Sequence, residues 1–178
     1  NLPVMVQAVI RARLDRLDPH ARETLQLAAV IGREFPLRIL EMISRTKSRL
    51  PMALDVLKRQ ELIQPIRSMQ GAWYMFTHVL TQITAYESLL LKKRKRFHAL
   101  VGLSLERLHA DRLEEQCENL AHHYSNSSDT KKALFYLDMA GTKASRVHSL
   151  AEARQAYATA LSILDADTIS VRDRQLYI

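Results

Sequence analysis

Several residue types are scarce in this 178-residue sequence, and each shortage excludes a class of protein. Cys117 is the single cysteine, so an internal disulfide and a cysteine-based zinc site are excluded, and a reducing, cytoplasmic compartment is the simplest expectation. Four glycines and five prolines are too few for a glycine-rich catalytic scaffold or a disordered linker protein. No apolar run approaches the roughly 20 residues that a membrane-spanning helix needs. We therefore expect no membrane partner.

Motifs for phosphate, nucleophilic or metal chemistry are also missing. The sequence contains no P-loop, no dinucleotide-binding glycine motif, no nucleophile elbow and no zinc-protease motif. His122 and His123 are neighbours that would point about 100° apart on a helix, so they are poorly placed to share one metal ion. Cys117 has the character of a small buried side chain. We expect no catalytic residue, metal site or cofactor within this chain, and an enzyme is the least favoured class.

The charge is basic and unevenly distributed. Lys and Arg total 26 against 19 Asp and Glu, which gives a net charge of +7. Residues 1–78 hold more of the excess than 79–178, although the densest run is Lys92–Arg96. Such a run can contact the phosphates of a nucleic acid or another anionic surface, but a solvated helix face is the commoner role.

The beginning of the chain has the pattern of short helices. Apolar residues at the helical period predict helices over 2–17 and 20–31, with Asp18 as the N-cap of the second. Pro36 is predicted to start a third, short helix, and Ser48 to cap a fourth.

A β-hairpin is predicted after these helices. Residues 62–67 partly alternate in polarity, residues 72–77 are rich in aromatic side chains, and a turn separates them. Pro65 confines the first strand to a sheet edge. Short helices followed by one hairpin indicate a winged-helix-like domain, which we place at residues 1–90.

From residue 79 onward the chain is predicted to be helical, and we place a second, helical domain at residues 91–178. Helices are expected over five ranges, with short polar linkers that favour antiparallel hairpins: 79–90, 92–109, 112–126, 130–146 and 149–165. Small and apolar residues in the last two match the spacing of one tetratricopeptide unit: Leu137, Ala140, Gly141, Ala144, Ala153, Tyr157 and Ala160. The small residues would let two helices approach closely, with Tyr157 filling the gap. One or two repeats are too few for an independent solenoid, so we expect an incomplete array that continues past Ile178.

His78 lies where the second predicted strand passes into a helix. At a helix N-terminus, a side chain and free backbone N–H groups can together hold or sense an anion. The alternative is a histidine that hydrogen-bonds its own turn.

A family resemblance is carried by three parts of the sequence. They are Leu2–Leu17 (with VQAVI and RLDRL), Leu27–Phe35 (LAAVIGREF), and Phe76–Gln82 (FTHVLTQ) together with Ala85–Leu90 (AYESLL). They resemble the region that follows the ATPase core in bacterial STAND-type signalling ATPases. These multidomain proteins often carry class III adenylate cyclase, kinase or LuxR-type output domains. The resemblance covers residues 2–165.

The resemblance implies a winged-helix subdomain of a nucleotide switch, followed by a tetratricopeptide-like sensor array. ATP or ADP with Mg²⁺ would be bound by an ATPase domain upstream in the parent protein. In related switches a Met-His-Asp motif places its histidine near the β-phosphate, and His78 is the matching position. Thr77 and Val79 replace the flanking Met and Asp, so the acidic part of the motif is missing. Because the chain opens with Asn1 rather than Met, we expect it to be a section of a longer protein.

Two functions therefore compete. The first is a non-catalytic regulatory and interaction segment of a signal-transduction ATPase, in which a protein partner on the helical repeats acts on a nucleotide switch. The second is a DNA-binding winged-helix transcriptional regulator with a helical dimerisation domain, which the charge and Arg49, Lys58, Arg59 and Arg67 support. The helix that would read the bases lacks a run of Asn, Gln or Arg at suitable spacing, so we favour the first.

Overall fold

Most of the chain is helical, and a small antiparallel sheet lies in its first half, as the sequence predicts. The computed structural model describes the backbone of residues 4–69 and 71–175, and the side chains of residues 7–69 and 71–166. The chain divides into two compact units, residues 1–104 and 105–178. The division falls within a helix, beyond the residue 90 at which we placed the domain boundary. No helix in the described ranges combines the length and apolar character needed to cross a membrane.

The first unit has the element order of a winged helix. Its helices are α1 Val4–Asp15, α2 Pro19–Ile31, α3 Leu37–Ile43, α4 Leu50–Arg59, α5 Val79–Glu87 and α6 Leu91–Leu108, the last of which crosses the division. Its strands are β1 Glu34–Pro36, β2 Ile63–Ile66 and β3 Trp73–Phe76. The order α2, β1, α3, α4, β2, β3 places the hairpin directly after the helix pair α3–α4.

Helix α2 begins and ends where its sequence dictates. Asp18 accepts hydrogen bonds from the backbone N–H groups of His20 at 2.9 Å and Ala21 at 3.0 Å, and Pro19 occupies the first helical position. Gly32 ends the helix with a φ of 153°, a conformation that side chains disfavour. The predicted cap is therefore confirmed.

The sheet has a third strand that the sequence analysis missed. Its order is β1-β3-β2, with Phe35 of β1 opposite Tyr74 of β3. The rings of Phe35 and Phe76 are fully buried, with centroids 5.8 Å apart, and they anchor the sheet on the helices. Strand β2 lies at an edge, as predicted from Pro65.

The start of α4 differs from the prediction. A short 3₁₀ turn, Lys47–Arg49, leads into the helix, and Arg49 occupies the N-cap position with no side-chain cap bond. The predicted cap by Ser48 is wrong, because this residue lies inside the 3₁₀ turn. That turn is closed by the Arg49 N–H, which donates to the Thr46 carbonyl at 3.1 Å.

The corner between α5 and α6 is held by a stack of side chains. The Arg94 guanidinium lies 4.3 Å from the centroid of the Tyr86 ring and donates to the Leu89 carbonyl at 3.3 Å. The Tyr86 hydroxyl and the His98 Nε2 atom are hydrogen-bonded at 2.9 Å, and His98 is buried. These contacts fix the direction in which α6 leaves the corner.

The second unit consists of helical hairpins. Its helices are α7 Cys117–Ser125, α8 Thr130–Arg146 and α9 Leu150–Gln175, and a 3₁₀ turn over Leu113–Gln116 replaces the predicted first turn of α7. Helix α9 also runs past the predicted end at residue 165. Near the α7–α8 loop, Lys132 of α8 lies over the ring of Tyr124 of α7. At the end of the pair that is distant from this loop, Lys143 of α8 forms an ion pair with Glu118 of α7 at 2.9 Å. The two helices are therefore antiparallel, as predicted.

Candidate functional site

His78 lies at the junction between β3 and α5. Its backbone is extended, with φ −128° and ψ 133°, and it occupies the N-cap position of α5. Its carbonyl accepts a hydrogen bond from the Thr81 N–H at 3.0 Å, but its side chain makes no capping bond and is exposed. The imidazole is therefore not used to close its own turn.

The backbone on either side of His78 is anchored to the rest of the unit. The Thr77 N–H donates to the Leu62 carbonyl at 3.1 Å, which continues the contact between β2 and β3. One turn into α5, the Gln82 side chain donates to the Ala29 carbonyl of α2 at 3.3 Å. Val79, the residue after His78, is 39% exposed. An imidazole is thus presented from a fixed position without a neighbouring carboxylate in the motif.

The outward face of α4 is mixed rather than basic. Pro51, Met52 and Asp55 are exposed, and Asp55 forms an ion pair with Lys58 at 2.7 Å. This pairing lowers the pKa of Asp55 and raises that of Lys58. A cavity of about 460 Å³ adjoins this face, and four of its nine lining residues are charged. Its lining residues are Leu37, Glu41, Lys47, Leu50, Pro51, Leu54, Asp55, Lys58 and Tyr74.

The predicted repeat-packing residues lie mainly along the interface between α8 and α9. Most of them are buried, while Ala160 is half-buried and Tyr157 is 39% exposed; the buried members are Leu137, Ala140, Gly141, Ala144 and Ala153. The Tyr157 ring lies directly over Gly141, where a Cβ atom would come within 2.7 Å of the ring. Glycine is thus needed at this position for the observed approach of the two helices.

A polar network that the sequence analysis missed joins α6, α7 and α8. The Lys132 ammonium donates to Glu106 Oε2 at 2.6 Å, and the Tyr136 hydroxyl donates to Glu106 Oε1 at 2.8 Å. The Lys132 ammonium also donates to the Tyr124 hydroxyl at 3.2 Å, and the two tyrosine rings stack with centroids 5.5 Å apart. Burial disfavours the charge of Glu106, but the hydrogen bonds from Lys132 and Tyr136 outweigh it and lower the pKa. No local sequence pattern predicts this network, because Glu106 lies 26 residues before Lys132 and 30 residues before Tyr136.

Helix α9 has an exposed apolar face. Leu150 is 75% exposed and Leu161 is 61% exposed, and both lie near Tyr157 on the helix surface, within an arc of roughly 40°. Val147, in the loop before α9, is 69% exposed, and Phe135 on α8 is 57% exposed. The second unit therefore presents large apolar side chains to its surroundings.

The sequence also singled out Cys117, His122 and His123, and the structure gives the burial of each. Cys117 is fully buried, and burial raises the pKa of its thiol to about 11. His123 is buried, whereas its neighbour His122 is exposed. Within the described side chains, no three His, Cys, Asp or Glu residues form a group that could hold a metal ion.

Comparisons with known proteins give a distant relative. A protein of Rhizobium meliloti (strain 1021), described as uncharacterized, is 28% identical to this chain over 159 residues. The match covers 88% of this chain but only 15% of the relative, so the chain spans a small part of the length of the protein it matches. No protein-family profile and no solved structure match the chain. The family membership that the sequence motifs imply therefore stays a prediction.

Proposed function

We propose that this chain is a non-catalytic regulatory segment of a multidomain signal-transduction ATPase. In this proposal α7–α9 bind a protein partner, and the winged helix acts on a nucleotide held by an ATPase domain of the parent protein. The observation that carries the proposal is the exposed apolar face of α9, with Leu150, Tyr157 and Leu161 on a scaffold of helical hairpins. Such faces on helical repeats are typical protein-binding surfaces. The lone buried thiol fits a reducing cytoplasmic location.

The nucleotide part of the proposal rests on His78 and on the resemblance of its motif. The fold does not use this side chain in its own helix cap. Held at the end of β3, it could therefore meet a phosphate of ATP or ADP that another domain binds with Mg²⁺. The P-loop needed for that binding would be supplied by the proposed ATPase domain, since this sequence contains none.

Regulation would follow from a shift in population between two arrangements of the parent protein. Nucleotide would favour one arrangement, and a partner on the helical repeats would favour the other. A coupling free energy of about 1–3 kcal/mol between the two ligands suffices for useful control.

The first experiment replaces His78 by Ala in the parent protein and measures the release of a fluorescent ADP. A lost hydrogen bond to a charged phosphate costs about 1.5–3 kcal/mol, so we expect release to be roughly ten to a hundred times faster. The matched control is His148→Ala, another exposed histidine that lies in the second unit. An unchanged ADP release rate in the His78 variant would rule out the nucleotide role.

The second experiment tests the helical repeats. Leu150→Asp and Leu161→Asp should abolish the response of the parent's output to its protein signal and leave ADP release without signal unchanged. Gln155→Asp, an exposed position on the same helix, is the control and should respond normally. Equal loss in all three variants would show that the added charge, and not the apolar face, is responsible.

A further inference from the structure

The net positive charge of the chain comes from its first unit. Residues 1–104 contain 17 Lys and Arg against 8 Asp and Glu, a net charge of +9, whereas residues 105–178 contain 9 against 11, a net charge of −2. The run Lys92–Arg96 falls in the first unit because the division lies within α6. The winged-helix unit therefore attracts polyanions as a whole.

Helix α4 is poorly suited to receive such a polyanion. Its exposed residues include Pro51, Met52 and Asp55, and one of its cations, Lys58, already pairs with Asp55 at 2.7 Å. The Asp55 carboxylate would repel phosphates at the centre of this face, and Met52 offers nothing to a base edge except apolar contact. The surface that reads bases in a DNA-binding winged helix therefore lacks the chemistry for it here.

A second basic surface, the α6 patch, lies at the beginning of α6. It consists of four exposed cationic side chains: Lys92, Lys93, Lys95 and Arg96. They span an arc of roughly 160° on the side of the helix opposite the buried Val101, and at one edge of this arc the Lys93 ammonium lies 6.0 Å from the centroid of the buried Phe97 ring. The first turn of α6 contains no acidic residue, and none of the four cations forms an ion pair within the described part of the chain. Their charge is thus not neutralised by the fold.

The α6 patch is also held in place. Arg94, the one cation of the run that turns inward, stacks on Tyr86 and donates to the Leu89 carbonyl. Helix α6 is further fixed by the bond between Tyr86 and the buried His98. A charged surface on a fixed backbone loses less conformational entropy when it binds.

We propose that the α6 patch binds the phosphate backbone of nucleic acid without reading its sequence. A nucleic acid fits better than a bilayer because most of the apolar face of α6 already packs in the core, and the large apolar residues left exposed are scattered, with Leu90 and Leu91 beside the cations and Leu103 three turns farther along. It fits better than a protein surface because three of the four cations are lysines, which are depleted at protein interfaces. The patch requires only a row of phosphates.

The experiment measures binding of the 178-residue chain to two short labelled DNA duplexes of unrelated sequence, by fluorescence anisotropy over a range of salt concentrations. Four phosphate contacts predict a slope of log affinity against log salt of about −3.6, equal for both duplexes. Affinity should then fall roughly a hundredfold between about 50 mM and about 200 mM salt. The variant Lys92→Gln, Lys93→Gln, Lys95→Gln and Arg96→Gln should lose this binding, with circular dichroism checking that it is folded. Should it not fold, Lys92→Gln and Arg96→Gln alone should each make the slope shallower by about 1.

Two control variants and one competing ligand make the result decisive. The first control removes four exposed arginines elsewhere in the same unit, by changing Arg11, Arg16, Arg33 and Arg38 to Gln. It should retain most of the binding, and a loss equal to that of the patch variant would overturn the proposal in favour of net charge alone. The second changes Lys47 and Arg59 to Gln, and loss of binding there would assign the contact to α4 instead. Binding to phosphatidylserine vesicles but not to DNA, with dependence on Leu90 and Leu91, would assign the patch to a membrane and refute the proposal.

Discussion

The close approach of α8 and α9 at Gly141 makes the effect of a single methyl group predictable. In the Gly141→Ala variant the new Cβ would lie 2.7 Å from Cζ and 2.8 Å from Cε1 of Tyr157, where carbon atoms normally stay about 3.5–4.0 Å apart. The ring must therefore move away by about 1 Å. Its hydroxyl, 3.4 Å from Thr142 Oγ1, would move with it.

Two opposing free energies set the size of the effect. Alanine is a better helix former than glycine by about 0.8–1.0 kcal/mol, which stabilises α8. Displacing a packed side chain costs about 1–3 kcal/mol, which exceeds that gain. We expect Gly141→Ala to lower the free energy of unfolding by about 1 kcal/mol. In a Tyr157→Ala background the clash is absent, so the same substitution should raise it by about 1 kcal/mol.

The assay is urea unfolding of all four proteins of this double-mutant cycle, followed by far-ultraviolet circular dichroism, with hydrogen exchange of the α8 amides as a local measure. The sign of the Gly141→Ala effect should reverse between the two backgrounds. If Gly141→Ala stabilises the chain equally whether or not Tyr157 is present, the ring does not occupy the position described.

Three further results follow from capping, titration and burial. Asp18→Ala should destabilise the first unit by about 1 kcal/mol in urea unfolding, since Asp18 accepts two N-terminal N–H groups of α2; no change would contradict this capping. Folding lowers the pKa of Glu106, so its contribution is complete above the pKa of an unfolded glutamate, about 4.3, and is lost as the pH falls through the folded value. Glu106→Gln should therefore destabilise the chain near neutral pH by about 1–3 kcal/mol and flatten the loss of stability in acid, and an unchanged acid profile would count against the network. Because burial raises the pKa of Cys117 to about 11, the native thiol should react with iodoacetamide far more slowly near neutral pH than in urea, and equal rates would contradict its burial.

The parts of the fold that the sequence predicts are those set by neighbouring residues. The start of α2 follows from Asp18 and Pro19, and the hairpin follows from its aromatic strand and its turn. Strand β1 was missed because three residues are too few to show alternation and its partner strand lies far along the chain. The position of His78 at the start of α5 was predictable because strand and helix patterns meet there.

The environment of charged residues was harder to predict. The run Lys92–Arg96 reads as five equivalent cations, yet Arg94 turns inward onto Tyr86 while the others are exposed. Which residue of a charged run lies on the core side depends on the phase of the helix, and that phase is set by distant packing. Likewise, pairing of Glu106 with Lys132 depends on how α6 meets α8 within the second unit, which no local pattern encodes.

The position of β3 in the middle of the sheet has a consequence for the order of folding. Pairing of β1 with β3 closes a loop that contains α3, α4 and β2, so the sheet can be completed only after that whole segment has been gathered. Closing such a loop costs chain entropy before the contacts between β1 and β3 form. By contrast, α7, α8 and α9 pack on their immediate neighbours in the chain, so their contacts close only short loops. We therefore expect amides of α8 to acquire protection before those of β3 when refolding is followed by pulsed hydrogen exchange. The winged helix would then be the slower half of the molecule to form, and its helix pair and hairpin would form in one cooperative step.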